Sequence, residues 1–150
     1  MVEIIVVVAV VIVAFTSILE LFKLQAQTER VKREELAAYT LLSEALEATR
    51  SVRDDNWSNL SSLIPGADYY PVVSSGSWSL SLTDPGPIGR YSQWIVVSSV
   101  QRDTNDDIVT SGGVVDADTF FATAFVEWQS GGSTRTKSLS TYFTNWQGKL

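Results

Sequence analysis

The sequence predicts an α+β protein. One very long N-terminal helix, apolar in its first half, packs its C-terminal half on a four- to five-stranded antiparallel sheet. Three observations predict this. The opening run MVEIIVVVAVVIVAFTSILE holds no charge from Ile4 to Leu19. No Pro or Gly occurs before Pro65. After Trp57 the composition turns to Ser, Thr, Gly, Val and aromatics in alternating runs, which signals strands and turns. The expected organisation is an apolar helix over 1–23, an amphipathic continuation over 24–57 and a β-rich head over 58–150.

Ten of the twelve residues from Ile4 to Phe15 are Ile, Val or Phe, and the other two are Ala. On an insertion scale the ten sum to about −3 to −6 kcal/mol. A central acid costs about 2.5 to 3.5 kcal/mol, and Glu3 sits at the end, where it costs less. Insertion therefore wins. At about 1.5 Å per residue, Met1 to Leu19 just spans a hydrocarbon core of about 30 Å. A β-branched run favours a strand in water, but in lipid the backbone must pair within the segment, so helix is forced. A cleaved signal peptide would need a basic front and a small-residue cleavage site. No Lys or Arg precedes Lys23 and no A-x-A follows the run. A plain anchor has no use for Glu3, and a chain this short would struggle to bury such a helix on all sides.

Residues 20–57 are rich in good helix formers. Leu24, Val31, Ala38, Ala45 and Val52 recur every seven residues, with Leu21, Thr28, Leu42 and Thr49 beside them and Tyr39 and Leu46 widening the stripe. This is one apolar face on a polar helix. Glu29–Arg33 and Glu47–Arg50 read as surface pairs of small value. A helix from about Val2 to Trp57 is on the order of 80 Å long, too long to be covered by the remaining chain. Asp54-Asp55-Asn56-Trp57 ends it, and Ala14-Phe15-Thr16-Ser17 is its weakest stretch.

In the head, Asn59 to Gly66 reads as a loop and Tyr69 to Val73 as a strand that Pro71 places at an edge. Ser77 to Leu82 alternates, with Trp78, Leu80 and Leu82 on one face. Asp84-Pro85-Gly86-Pro87 and Gly89 make a turn. Tyr91 to Arg102 is a long strand with Trp94, Val96 and Val100 as the expected inner set. In Thr119 to Gln129, Phe120, Ala122, Ala124, Val126 and Trp128 alternate against Phe121, Thr123 and Phe125. Gly131-Gly132 is a hairpin turn, and Thr134 to Trp146 closes the sheet through Leu139, Thr141 and Phe143. Trp78, Trp94 and Trp128 are expected in the core.

The net charge is −6. Residues 1–65 carry six basic and nine acidic side chains, and 66–150 carry five and eight. This even acidity argues against a nucleic-acid surface, which needs clustered Lys and Arg. Without Cys or His there is no disulfide, thiolate, or His-based acid–base or metal chemistry. Asp103, Asn105 and Asp107 have the D-x-N-x-D spacing of a Ca²⁺ loop. The full pattern then needs Gly at 108 and Glu at 114, where the chain has Ile108 and Val114, so a polar hairpin loop is the preferred reading. Asn56-Trp57-Ser58 and Asn59-Leu60-Ser61 are glycosylation sequons. No P-loop, dinucleotide fingerprint or nucleophile-elbow motif occurs, and no enzyme activity or cofactor is expected.

The run V-E-I-I-V-V-V-A-V-V-I-V from Val2 to Val13 resembles the N-terminus of processed type IV pilins. In that family an acid stands near the front of an apolar helix, typically as the fifth mature residue. A leader is removed, the new N-terminus is usually N-methylated, and the helices bundle into a filament core. The stretches Tyr91–Gly113 and Ser140–Trp146 also resemble pilin-like proteins from ultrasmall bacteria of the candidate phyla. The resemblance implies that Glu3 sets the assembly register by pairing with a neighbour's N-terminal amine. An acid in an apolar bundle is costly unless a positive group meets it. It also implies Met1 as the processed, methylated end if the mature chain starts there, with Ile4, Val8, Val11, Phe15 and Leu19 in the filament core.

The implied partners are further copies of this chain, the inner membrane before assembly, a prepilin peptidase and the pilus assembly machinery, with no direct nucleic-acid contact. The implied role is a structural subunit, the major pilin, of a surface filament for adhesion, motility or uptake. The alternatives are a minor pilin or pseudopilin, and a monomeric membrane-anchored binding module. The chain departs from the family in three ways. The acid is third, so either two mature residues precede Met1 or the register differs. A basic leader is inferred rather than seen. Glu20 stands where pilins commonly carry a helix-breaking Pro.

Overall fold

The computed structural model describes residues 1–146. The fold is α+β, and every strand pairing is antiparallel. Helix α1 runs from Val2 to Asp55, a short α2 from Trp57 to Ser61, and six strands follow. These are β1 (Asp68–Ser74), β2 (Ser77–Ser81), β3 (Tyr91–Arg102), β4 (Ile108–Val109), β5 (Val114–Ser130) and β6 (Ser133–Thr144). Five of them form the sheet in the order β2-β1-β3-β5-β6, and the two-residue β4 pairs with β3 off that path. The chain divides into two units, Met1–Ala37 and the residues from Ala38 onward, with the boundary inside α1.

The second unit holds the core. Ala38, Leu42, Ala45, Leu46, Ala48, Thr49 and Val52 are buried along α1. Ile95, Val97, Phe120, Ala122, Ala124, Val126, Trp128 and Phe143 come from the sheet. The residues are small where the two layers face each other at mid-length, and that lets a helix approach a sheet closely. Large rings close the ends: Trp57 lies 5.6 Å from Phe120, and Tyr91 lies 5.8 Å from Trp128. Arg53 sits over the Phe143 ring and Lys137 over the Tyr39 ring, each covering an apolar face with a charged stem. Burying a sheet face on one amphipathic helix is the expected two-layer solution.

Of the stretch read as a loop after the long helix, residues 59–61 belong to α2 (Trp57–Ser61) and residues 62–66 are turn. Asn56 caps α2, accepting from the Ser58 N–H at 2.9 Å, and Leu60 is fully buried beneath it. Asn56 thus ends one helix and starts the next, so α1 stops at Asp55 rather than Trp57. Pro71 is not in an edge strand, since β1 lies between β2 and β3. It is tolerated because β1 pairs with β3 only at Asp68 and Tyr69, and from Pro71 onward only β2 is alongside. The β5–β6 hairpin closes on Gly131 and Gly132, at φ 60° and 81°, the two positive angles a two-residue primed turn requires.

The inner face of β3 differs from expectation. Gln93, Ile95 and Val97 are buried, while Trp94 and Val96 face the other way. Trp94 stacks on Phe125, 5.4 Å between centroids and 12° between planes. All of Trp94 to Val97 is apolar, so periodicity alone does not choose a phase. Gln93 chooses it, donating from Nε2 to the Leu41 carbonyl of α1 at 2.5 Å. A register break between Ser99 and Val100 then lets Val100 rejoin the buried side. Trp78 is half-buried and Leu82 exposed, so of the three tryptophans expected in the core only Trp128 is fully enclosed. The β5 alternation holds from Phe120 to Ser130, while Thr119 and Phe120 are buried side by side and none of Val114 to Asp118 is buried.

Candidate functional site

The first unit presents an apolar surface. Its helix is the one segment among the described residues long and apolar enough to cross a membrane, with a mean hydropathy of 2.9 over its best window and none of that window buried. Ile4, Val8, Val11, Phe15 and Leu19 are all exposed, and so are Val6, Val7, Val10, Ile12 and Val13 between them. The exposed apolar residues therefore cover every side of the helix, not one stripe. Such a helix needs lipid or other protein around it. Leu21, Phe22 and Leu24 extend the exposed surface around Glu20 and Lys23, and Arg30, Lys32 and Arg33 follow.

Glu3 lies in the first turn, exposed, beside the exposed Met1. A carboxylate there complements the positive end of the helix dipole. Farther along, the Thr16 and Ser17 hydroxyls both donate to the Val13 carbonyl at 2.9 Å. Such back-bonding loosens the ladder slightly and favours a bend. These are residues of the stretch read from sequence as weakest, and α1 is continuous through them.

A second constellation lies at one end of the sheet. Arg102, the last residue of β3, donates from Nε to Asp116 Oδ2 at 2.7 Å. It also donates to the Asp106 carbonyl at 2.7 Å and the Thr119 hydroxyl at 3.3 Å. The Arg102 hydrogen bond, then the Thr119 bond, pull the Asp116 carboxyl down to about 2. The Asp116 bond in turn raises Arg102. Asp116 Oδ1 accepts from the Asp118 N–H. Asn145 then ties β6 to this end, its backbone N–H donating to the Asp118 carbonyl and its Nδ2 to Asp118 Oδ1, both at 2.9 Å. Sequence reasoning missed this network. The side-chain bonds that join its strands span 14 to 27 residues, and the register break that aligns them leaves no periodic trace.

The Asp103 carboxylate engages the chain at Asn105 and Asp107. Asp103 Oδ1 accepts from the backbone N–H of Asn105 at 2.8 Å and of Asp107 at 3.0 Å, folding the loop around its own carboxylate. Among the described residues, no three His, Cys, Asp or Glu side chains gather as a metal site. Comparison with protein-family models, curated proteins and solved structures finds no match to this chain.

Proposed function

We propose that this chain is a structural subunit, the major pilin, of a type IV pilus, assembling through its apolar N-terminal helix into an extracellular filament. The observation that carries this reading is a 54-residue helix whose front is apolar and exposed on every side, with one acid in its first turn. An anchor alone has no need of that acid. A helical polymer does, because pairing Glu3 with the N-terminal amine of a neighbour would fix one subunit's axial position against the next. On this reading the membrane holds the apolar segment before assembly, a prepilin peptidase processes the chain, and the head serves display rather than catalysis. Adhesion, motility and uptake are all roles such a filament can serve.

The test shears the surface of the source cells, images the released material by electron microscopy and identifies its main protein by intact mass. Thin filaments built mainly of this chain support the reading, and the same mass defines the mature N-terminus and its methylation. This chain as a trace component of filaments means a minor pilin or pseudopilin. Membrane-bound chain without filaments means an anchored binding module. In a major pilin, Glu3→Ala leaves the chain membrane-inserted but abolishes filaments.

A further inference from the structure

We propose that the head carries a binding site for a neutral saccharide, in the cleft between the end of β3 and the chain leaving β6. This goes beyond the filament reading and does not depend on it. The cleft has a volume of about 340 Å³ and is lined by Arg102, Asp118, Thr119, Thr144, Asn145 and Trp146. That is near the lower end for small-ligand sites, about 300 Å³, and suits one or two sugar rings.

Three features point to a sugar. Trp146 lines the cleft and is 52% exposed, while Trp128 of β5 is fully enclosed. An exposed indole offers its face to the C–H side of a pyranose ring. The polar groups are held before any ligand arrives. Asn145 is tied to Asp118 twice, and Arg102 is fixed by Asp116, the Asp106 carbonyl and Thr119. Preorganised groups bind without a large ordering cost. Finally, donors and acceptors stand side by side. The Asp118 carboxylate accepts only, with lone pairs beyond the one Asn145 uses, and a guanidinium presents more N–H donors than three acceptors occupy. Adjacent sugar hydroxyls, each both donor and acceptor, match that pairing. Charge selects against an anionic ligand, because Asp116 already neutralises Arg102 and Asp118 and Asp106 add negative charge nearby.

The test uses the full chain in a zwitterionic detergent without a sugar headgroup, since maltoside and glucoside detergents would compete. Glucose, galactose, mannose, N-acetylglucosamine and lactose are titrated by saturation-transfer NMR, with N-acetylneuraminic acid as the anionic comparison. The proposal expects saturable binding of at least one neutral sugar with ring C–H protons most strongly saturated. Trp146→Ala and Asp118→Asn should each weaken that binding at least about tenfold, and Trp94→Ala, on the outer face of the sheet, should leave it unchanged. Trp146 is exposed and Asp118 half-buried, and amide chemical shifts that match the parent away from the cleft confirm that both variants fold. No saturable binding by any of the five neutral sugars overturns the proposal. So does parental affinity in Trp146→Ala, or tighter binding of the anionic sugar.

Discussion

Arg102 and Asp116 meet across the β3–β5 ladder at 2.7 Å, and the contact places a carboxylate that is 17% exposed against a guanidinium that is 28% exposed. The folded Asp116 carboxyl titrates at about 2, below its ordinary 3.8. A group depressed in the folded state adds stability above its unfolded value and loses it as pH falls toward the folded one. Unfolding measured between pH 5 and 2 should therefore show a loss of about 1 kcal/mol from this group after solvent screening, concentrated below pH 4. Asp116→Asn should remove that part of the acid dependence and lower stability at pH 7 by a similar amount.

Gly113 has no room for a side chain. A Cβ there would stand 2.5 Å from the Arg102 carbonyl oxygen and 2.7 Å from Val109 Cγ2. The obstacle is backbone, so it cannot swing aside. Gly113→Ala should cost about 1–3 kcal/mol. Amide chemical shifts should move at Arg102 and in β4 before they move in β6.

The two faces of the sheet should respond differently to loss of a tryptophan. Trp128 is buried against the helix and Trp94 stacks outside on Phe125. Chemical denaturation should give about 3–5 kcal/mol for Trp128→Ala and about 1 kcal/mol for Trp94→Ala. Equal losses would mean that β3 takes the opposite phase.

Ala45 of α1 and Ala124 of β5 are both fully buried in the core cluster. Ala124→Leu should overpack the layer between helix and sheet and cost about 1–3 kcal/mol. Leu42→Ala should instead open a cavity and cost about 2–5 kcal/mol. Thermal melts followed by near-ultraviolet circular dichroism would register both.

The β5 alternation was legible because Ala122, Ala124 and Val126 oppose Thr123 and Glu127, a contrast periodicity can use. The β3 phase was not, because Trp94, Ile95, Val96 and Val97 are all apolar and the deciding residue is polar. Gln93 turns inward for one hydrogen bond to Leu41, 52 residues away. The Asn56 cap was likewise local but hidden, since a residue that ends one helix can start another. Of the proposed sites, Glu3 was legible as a lone acid in an apolar run. The Arg102–Asp116–Asp118–Asn145 cluster was not, because the sequence does not tell which distant residues a register break will align.

By itself the sequence determined the long helix, its apolar front, its amphipathic rear and a strand-rich remainder, which begins at Asp68. Each follows from local composition and period, which act over a few residues and need no partner. The tertiary structure alone decided which side of β3 meets the helix, where Pro71 is tolerated and which polar groups share one cleft. Those outcomes rest on hydrogen bonds and close packing between segments far apart in the chain, whose energies exist only once the sheet has formed against α1.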